Sequence, residues 1–250
     1  MPRIFCNSPL IIQDRYELPL ESSRHIQVLR LQPGMQITLF NGRGGEFQAE
    51  ILEMTRKEVY VKVISFEGVE RELQRPVHLA IGIPANERMD WLIEKATELG
   101  LTRLTPLMTQ HNVVRINPER SDKKKHHWNA IASAACAQCG RNRAPLIDTS
   151  TNLTSWLQSL PEILENDTSR WFFSLNQDSE SFFDHFSQYQ KQSALAQTSL
   201  VIAFGPEGGW STQEELLLKN HHFTALSLGS RVLRTETAAI ATLSTLSLLM

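Results

Sequence analysis

Two short stretches near the end of the 250-residue chain carry residue types that bind and react. The first, LVIAFGPEGGWSTQEEL at 200–216, runs from an apolar segment through Gly205, Gly208 and Gly209 into a polar one. The second, LSLGSRVLRTETAAIATL at 226–243, repeats the pattern around Gly229 and adds Arg231 and Arg234. A backbone without side chains can wrap closely around a ligand. The start of a helix presents unpaired N–H groups to whatever lies there. Ser211 and Glu214 have capping-box spacing, so the first loop is expected to give way to a helix at Ser211. In the second stretch the two arginines flank Leu233 just before Thr235 and Glu236, which sets planar cationic donors beside a glycine turn.

The rest of the chain must position these loops. From residue 77 onward the pattern alternates between strand and helix. Val77–Ile83 is an apolar strand, and Met89, Leu92, Ile93, Ala96 and Leu99 form one face of a helix that Gly100 stops. A strand around 104–108, a long helix over about 123–139 and a short strand at 145–147 follow. Trp171–Leu175 and Leu200–Phe204 read as buried strands, each leading into a helix. Ala225–Leu228 is the last strand, and the final helix is expected to bury Ala239, Thr242, Leu243, Leu246 and Leu249. Such alternation implies a largely parallel sheet with helices on both faces. Ligands of such sheets bind beyond the carboxyl ends of the strands, where both glycine loops fall. Before residue 75 the reading is nearly all β. Met35, Ile37 and Leu39 alternate with polar neighbours, NGRGG at 41–45 turns the chain, and Phe47, Ala49 and Ile51 alternate again, with Val59, Val61 and Val63 beyond. That pattern suggests a small barrel. With the charged stretch EGVERELQR (67–75) as connector, the expected domains are 1–70 and 75–250.

Bulk properties exclude several classes. The net charge of −2 hides a segment from Arg103 to Pro145 that carries +6, which suggests a polyanion-binding face. No stretch reads as membrane-spanning, and MPRIFCNSPL lacks an apolar signal core. Three cysteines make no disulfide framework, which points to a reducing cytoplasm. Cys136 and Cys139 form a CxxC, but no second ligand pair exists at matching spacing, so no metal is expected and the cysteines read as packing residues. The doublets His126–His127 and His221–His222 read the same way, since adjacent helix positions do not converge on one ligand. Neither GRGG nor GPEGG is a GxGxxG, and GxxxxGK[ST], GxSxG and HExxH are missing, which argues against dinucleotide enzymes, P-loop enzymes, serine hydrolases and zincins.

GPEGG followed by LGSRVLRTETA resembles the signature of the SPOUT class of S-adenosylmethionine-dependent RNA methyltransferases. More narrowly, the whole chain resembles the bacterial 16S ribosomal RNA uridine N3-methyltransferase family (small-subunit methyltransferase E). MPRIF at the start, HIQVLR at 25–30, KATELGL at 95–101 and CAQCGRNRAP at 136–145 look like that family in the same order. The resemblance implies a PUA-like N-terminal β-barrel, an α/β domain with a deep C-terminal trefoil knot, and a homodimer with the cofactor site near the subunit interface. It also implies methylation of N3 of a uridine in the 16S rRNA of the small subunit.

In that setting loops hold S-adenosylmethionine, which has no phosphate, and the missing GxGxxG is expected. The resemblance assigns Phe204, Gly205, Pro206, Glu207, Gly208 and Gly209 to one loop, Leu228, Gly229, Leu233 and Thr235 to another, and Ser174 and Leu175 to a third wall. Uridine N3 becomes nucleophilic as its proton leaves, and charge spreads onto the flanking carbonyl oxygens. Arg234 is expected to stabilise that charge, the alternative being an ion pair with Glu236 or Glu207. Glu236 is a conceivable base, or serves only the helix dipole. Arg115, Lys123, Lys124, Lys125, Arg141 and Arg143 are expected phosphate contacts, and Arg3, Arg24 and Arg30 of the barrel are expected to grip flanking RNA. The base must be unpaired or extruded for its Watson–Crick edge to react. Two alternatives stay open: a SPOUT enzyme acting on another RNA nucleoside, and a non-catalytic RNA-binding module.

Overall fold

The computed structural model describes residues 1–112, 118–162, 168–191 and 199–249. Arg115, one of the expected phosphate contacts, lies outside the described residues. The chain divides into two compact units, one formed by 1–72 and 132–144, the other by 73–131 and 145–250. The first unit therefore includes a segment from the middle of the sequence, which no single boundary near residue 70 could supply.

That first unit contains β1 (Arg3–Phe5), β2 (Arg15–Glu17), α1 (Leu20–Val28), β3 (Gln36–Phe40), β4 (Glu46–Met54) and β5 (Val59–Glu67). They form a five-stranded sheet in the order β1-β3-β4-β5-β2, antiparallel except for β1 against β3. The period-two reading holds: Ile37, Leu39, Ala49, Ile51, Val59, Val61 and Val63 are buried in one cluster. Met35 instead lies before β3 and is exposed. Helix α1 was not legible, because Ile26 is the one apolar side chain it buries. Its buried serines turn inward to the backbone, Ser22 Oγ donating to Phe5 O (2.6 Å) and Ser23 Oγ to Leu18 O (3.1 Å).

The 140–143 segment corrects part of the RNA expectation. Glu46, buried on β4, accepts hydrogen bonds from Arg3 (2.5 Å), Arg71 (3.1 Å) and Asn142 (3.3 Å). Burial works against its charge, but the bonds from Arg3, Arg71 and Asn142 prevail and hold the carboxyl below its ordinary value. Arg141 is buried and paired with Glu72, and Arg143 is exposed but paired with Glu70 (3.2 Å). Arg3 and Arg141 therefore hold this unit together rather than face phosphate. Cys136 is buried here too, and burial pushes its thiol up to about 12, which suits a packing cysteine.

The second unit begins with β6 (Val77–Gly82), α2 (Asn86–Glu98), β7 (Arg103–Met108) and α3 (Pro118–Cys139), whose residues from 132 belong to the first unit. It continues through β8 (Leu146–Ile147), β9 (Thr151–Asn152), α4 (Leu153–Ser159), β10 (Thr168–Phe173), β11 (Glu180–Ser181) and α5 (Phe182–Lys191). It ends with β12 (Ser199–Phe204), α6 (Thr212–Asn220), β13 (Thr224–Ser227) and α7 (Thr235–Leu249). Its sheet runs β11-β13-β10-β12-β6-β7-β8, with β9 also on β7, and every pair is parallel. The final strand β13 does not flank β12. It lies across β10, so β10 is held between β12 and β13 and the carboxyl ends of all three come together. The final helix buries Ala239, Thr242, Leu243 and Leu246 as expected, whereas Leu249 is exposed.

A buried histidine gives this unit a pH dependence. His78 on β6 shares a 2.7 Å hydrogen bond with Thr105 Oγ1, which donates to Asp148. Burial lowers its imidazole to about 4, with the nearby Arg103 charge acting in the same direction. The folded protein therefore binds fewer protons than the unfolded chain between about pH 6.5 and about 4, and stability falls as pH drops through that window. Chemical denaturation should show His78→Gln losing about 2 kcal/mol less stability than the wild type between pH 7 and pH 5. Parallel losses in the two proteins would contradict the assignment.

Candidate active site

The carboxyl ends of β13, β10 and β12 open onto a cavity of about 450 Å³. After β10, Ser174 and Leu175 line it, and the Ser174 N–H donates to Leu226 O (3.0 Å), which keeps this loop against β13. After β12 the wall is Phe204, Gly205, Pro206, Glu207, Gly208 and Gly209. Phe204 stacks on Phe173 at 4.5 Å with the rings nearly parallel, an aromatic floor under the loop. Gly209 closes a turn at φ +70°, its N–H donating to Pro206 O (2.8 Å). Trp210 Nε1 pins the end of the turn to Phe173 O (3.0 Å). The third wall follows β13 and includes Leu228, Gly229, Leu233 and Thr235. Thr235 Oγ1 donates to Gly205 O (2.9 Å), tying this wall to the second.

The predicted cap is present: Ser211 Oγ and Glu214 satisfy each other's backbone N–H, and Glu214 Oε1 also accepts from Gln110 N (2.8 Å). At Gly209 (φ +70°) and Gly229 (φ +102°) a Cβ would meet no atom within 4 Å. Both residues line the cavity, so at these two points bare backbone borders open space in a conformation that favours glycine. The structure thus fits a ligand held by main-chain N–H and C=O groups.

Arg234 and Arg231 line the cavity and are exposed. Among the described residues neither guanidinium has a hydrogen-bond or ion-pair partner. The alternative pairing of Arg234 with Glu207 or Glu236 does not form, because both carboxylates turn to Arg88 on α2, at 3.2 Å and 3.7 Å. Glu207 still lines the cavity and accepts from Ala85 N (3.2 Å). Glu236 is buried and is not on the cavity wall. Its Oε1 lies 3.7 Å from Arg88 Nε on α2, whereas its Oε2 is buried without a hydrogen-bond partner among the described residues.

Sequence reasoning missed Asn176, Trp210, Thr212, Glu215, Val232 and Ala238, all on the wall. The GPEGG run at least marked where Trp210 would be, and Glu215 falls in the same 200–216 stretch, whereas Asn176 comes from a separate element and carried no signal. Of the remaining cationic candidates, Arg24, Arg30 and Lys123 are exposed and Lys124 and Lys125 half-buried, and among the described residues their charged heads have no hydrogen-bond or ion-pair partner. No described helix is long and apolar enough to cross a membrane, and no described cluster of His, Cys, Asp and Glu could hold a metal.

Residues 71–247 match an RNA methyltransferase domain family and residues 19–64 an RNA methyltransferase PUA domain family. Ribosomal RNA small subunit methyltransferase E of Bacillus subtilis is 31% identical over 228 residues, covering 91% of this chain and 87% of that protein. A Legionella pneumophila methyltransferase solved with bound S-adenosylmethionine is 37% identical, with a TM-score of 0.89 over 99% of this chain and 97% of that one. Ribosomal RNA small subunit methyltransferase E of Neisseria gonorrhoeae, bound to S-adenosylmethionine, is 28% identical, with a TM-score of 0.86 over 100% and 98%. The fold is the SPOUT-type α/β methyltransferase fold with an N-terminal PUA-like domain. With these matches spanning both units, the chain belongs to the ribosomal RNA small subunit methyltransferase E family.

Proposed function

We propose that this protein transfers the methyl group of S-adenosylmethionine to N3 of a uridine in the 16S rRNA of the small ribosomal subunit, giving 3-methyluridine. The observation that carries this reading is the cavity enclosed by three loops, bordered by bare glycine backbone and by two unpaired arginines. The bound sulfonium supplies an electrophilic methyl group. The residues of this chain orient and stabilise. Main-chain groups of 205–209 and 228–233 hold the cofactor, and Phe204 on Phe173 gives the cavity a rigid base. As the N3 proton leaves, negative charge spreads over the two flanking carbonyl oxygens, and the Arg234 guanidinium stabilises it. Holding the two reactants in line supplies much of the remaining acceleration.

The RNA is gripped by the exposed Arg24 and Arg30 in the first unit and by the exposed Lys123 and half-buried Lys124 and Lys125 in the second, as contacts to backbone phosphate. The working form is a cytoplasmic homodimer that needs no metal; the dimer is supported by the exposed apolar side chains Trp91 and Leu248 on the two packed helices α2 and α7.

The test is incubation of the purified protein and S-adenosylmethionine with small subunits lacking the modification, followed by nucleoside mass spectrometry of the digested RNA. The expected product is 3-methyluridine. A different methylated nucleoside would keep the enzyme class and overturn the target. No product together with no cofactor binding would leave an RNA-binding module.

A further inference from the structure

One wall residue carries a charge that the site's own framework does not use up. Glu215 on α6 lines the cavity, half-buried, and its two carboxylate oxygens reach across to the loop after β10. Oε1 accepts from Ser174 Oγ (2.6 Å) and Oε2 from Asn176 Nδ2. The Asn176 N–H donates back to Ser174 Oγ (3.1 Å), so this small network is closed. Both partners are neutral, and among the described residues no cation pairs with Glu215. Glu207 differs, since that carboxylate has a cationic partner in Arg88. The two other free charges of the cavity, Arg231 and Arg234, come from a different loop, the one after β13. The cavity is therefore bipolar: carboxylate on the β10–α6 side, guanidinium on the β13–α7 side.

A ligand that suits such a cavity carries cationic and anionic groups at separate points. Methyl transfer changes one of them. The bond between the methyl carbon and sulfur breaks, its electron pair stays on sulfur, and the sulfonium becomes a neutral thioether. Resting on the methyltransferase reading above, we propose that Glu215 is the specificity-determining residue that lets this site prefer the sulfonium cofactor over its thioether product. A fixed negative charge attracts the sulfonium, which only S-adenosylmethionine carries, while its attraction for the α-ammonium group common to both ligands cancels from the ratio of the two affinities. The preference limits product inhibition, because the affinity of the cavity drops when the positive charge on sulfur is lost.

The experiment is calorimetric titration of the purified full chain with S-adenosylmethionine and separately with S-adenosylhomocysteine, with no RNA present. Glu215→Gln is close in shape, and the Asn176 amide can turn over to present its oxygen to the new amide. Its affinity for S-adenosylmethionine should fall by about fivefold more than its affinity for S-adenosylhomocysteine, the effect of one unit charge acting across a cavity of this size at intermediate dielectric. Asn176→Ala removes a hydrogen bond and keeps the charge, so it should retain the wild-type ratio of the two affinities. Equal losses for both ligands in Glu215→Gln would make Glu215 a loop-positioning residue and overturn the proposal, as would an unchanged ratio. Wild-type protein that binds neither ligand would overturn the methyltransferase reading itself, an outcome distinct from a missing preference.

Discussion

Arg234→Ala should lower the rate of methyl transfer by about 100- to 1,000-fold while leaving affinity for S-adenosylmethionine nearly unchanged. The split follows from where the charge appears. Neutral uridine gives a guanidinium little to stabilise in the ground state, whereas the N3-deprotonating transition state places negative charge on two carbonyl oxygens. An interaction made mainly in the transition state appears in kcat and not in ground-state binding. Arg234 is available for this task because the two counter-ions expected to compete for it, Glu207 and Glu236, both lie against Arg88. Arg234→Lys keeps the charge and loses the planar fork, so it should recover only part of the rate. Single-turnover kinetics with the small-subunit substrate, alongside cofactor titration, separates the quantities. Equal losses in rate and cofactor affinity would move Arg234 to a structural role in the β13–α7 loop.

What was legible in the sequence follows from the range of each signal. The two glycine loops could be read because their determinants are local: an apolar strand, glycines, and a cap three residues apart, as at Ser211 and Glu214. The burial of β3, β4 and β5 was readable for the same reason, since alternation repeats every second residue. The ion pairs of Arg141, Arg143 and Arg3 were out of reach because charge counted along the chain cannot see partners far away in sequence. Glu70 and Glu72, taken as part of a connector, pair with Arg143 and Arg141, and Glu46 takes up Arg3. Those pairs convert expected RNA contacts into the internal bonds of one unit. Strand order was likewise out of reach. Nothing in the pattern of β13 says that it lies beside β10 rather than β12, yet that choice turns two separate loops and the end of β10 into one cavity.

A residue outside every motif should have the largest effect on cofactor binding. Gly82 ends β6 and reads in the sequence as one more position of an apolar strand. A Cβ there would lie 2.5 Å from Pro206 N, 2.7 Å from Pro206 Cδ and 3.0 Å from the Gly205 carbonyl carbon. These are main-chain and ring atoms, which cannot swing aside as the end of a flexible side chain can. β6 cannot retreat either, since it is hydrogen-bonded between β12 and β7, with Gly82 in register with Leu107. The GPEGG loop must therefore move outward, taking Gly205 O away from Thr235 Oγ1 and opening the joint between two cavity walls. Gly82→Ala should cost about 1–3 kcal/mol of stability, the usual penalty for overpacking, and reduce S-adenosylmethionine affinity by more than about tenfold. Gly68→Ala is the matched control, because a Cβ there meets nothing within 4 Å and its backbone does not require glycine. Thermal unfolding and calorimetric titration of the two variants decide the matter. If Gly82→Ala binds the cofactor as the wild type does, the contact between β6 and the loop is not what sets the position of the cavity wall.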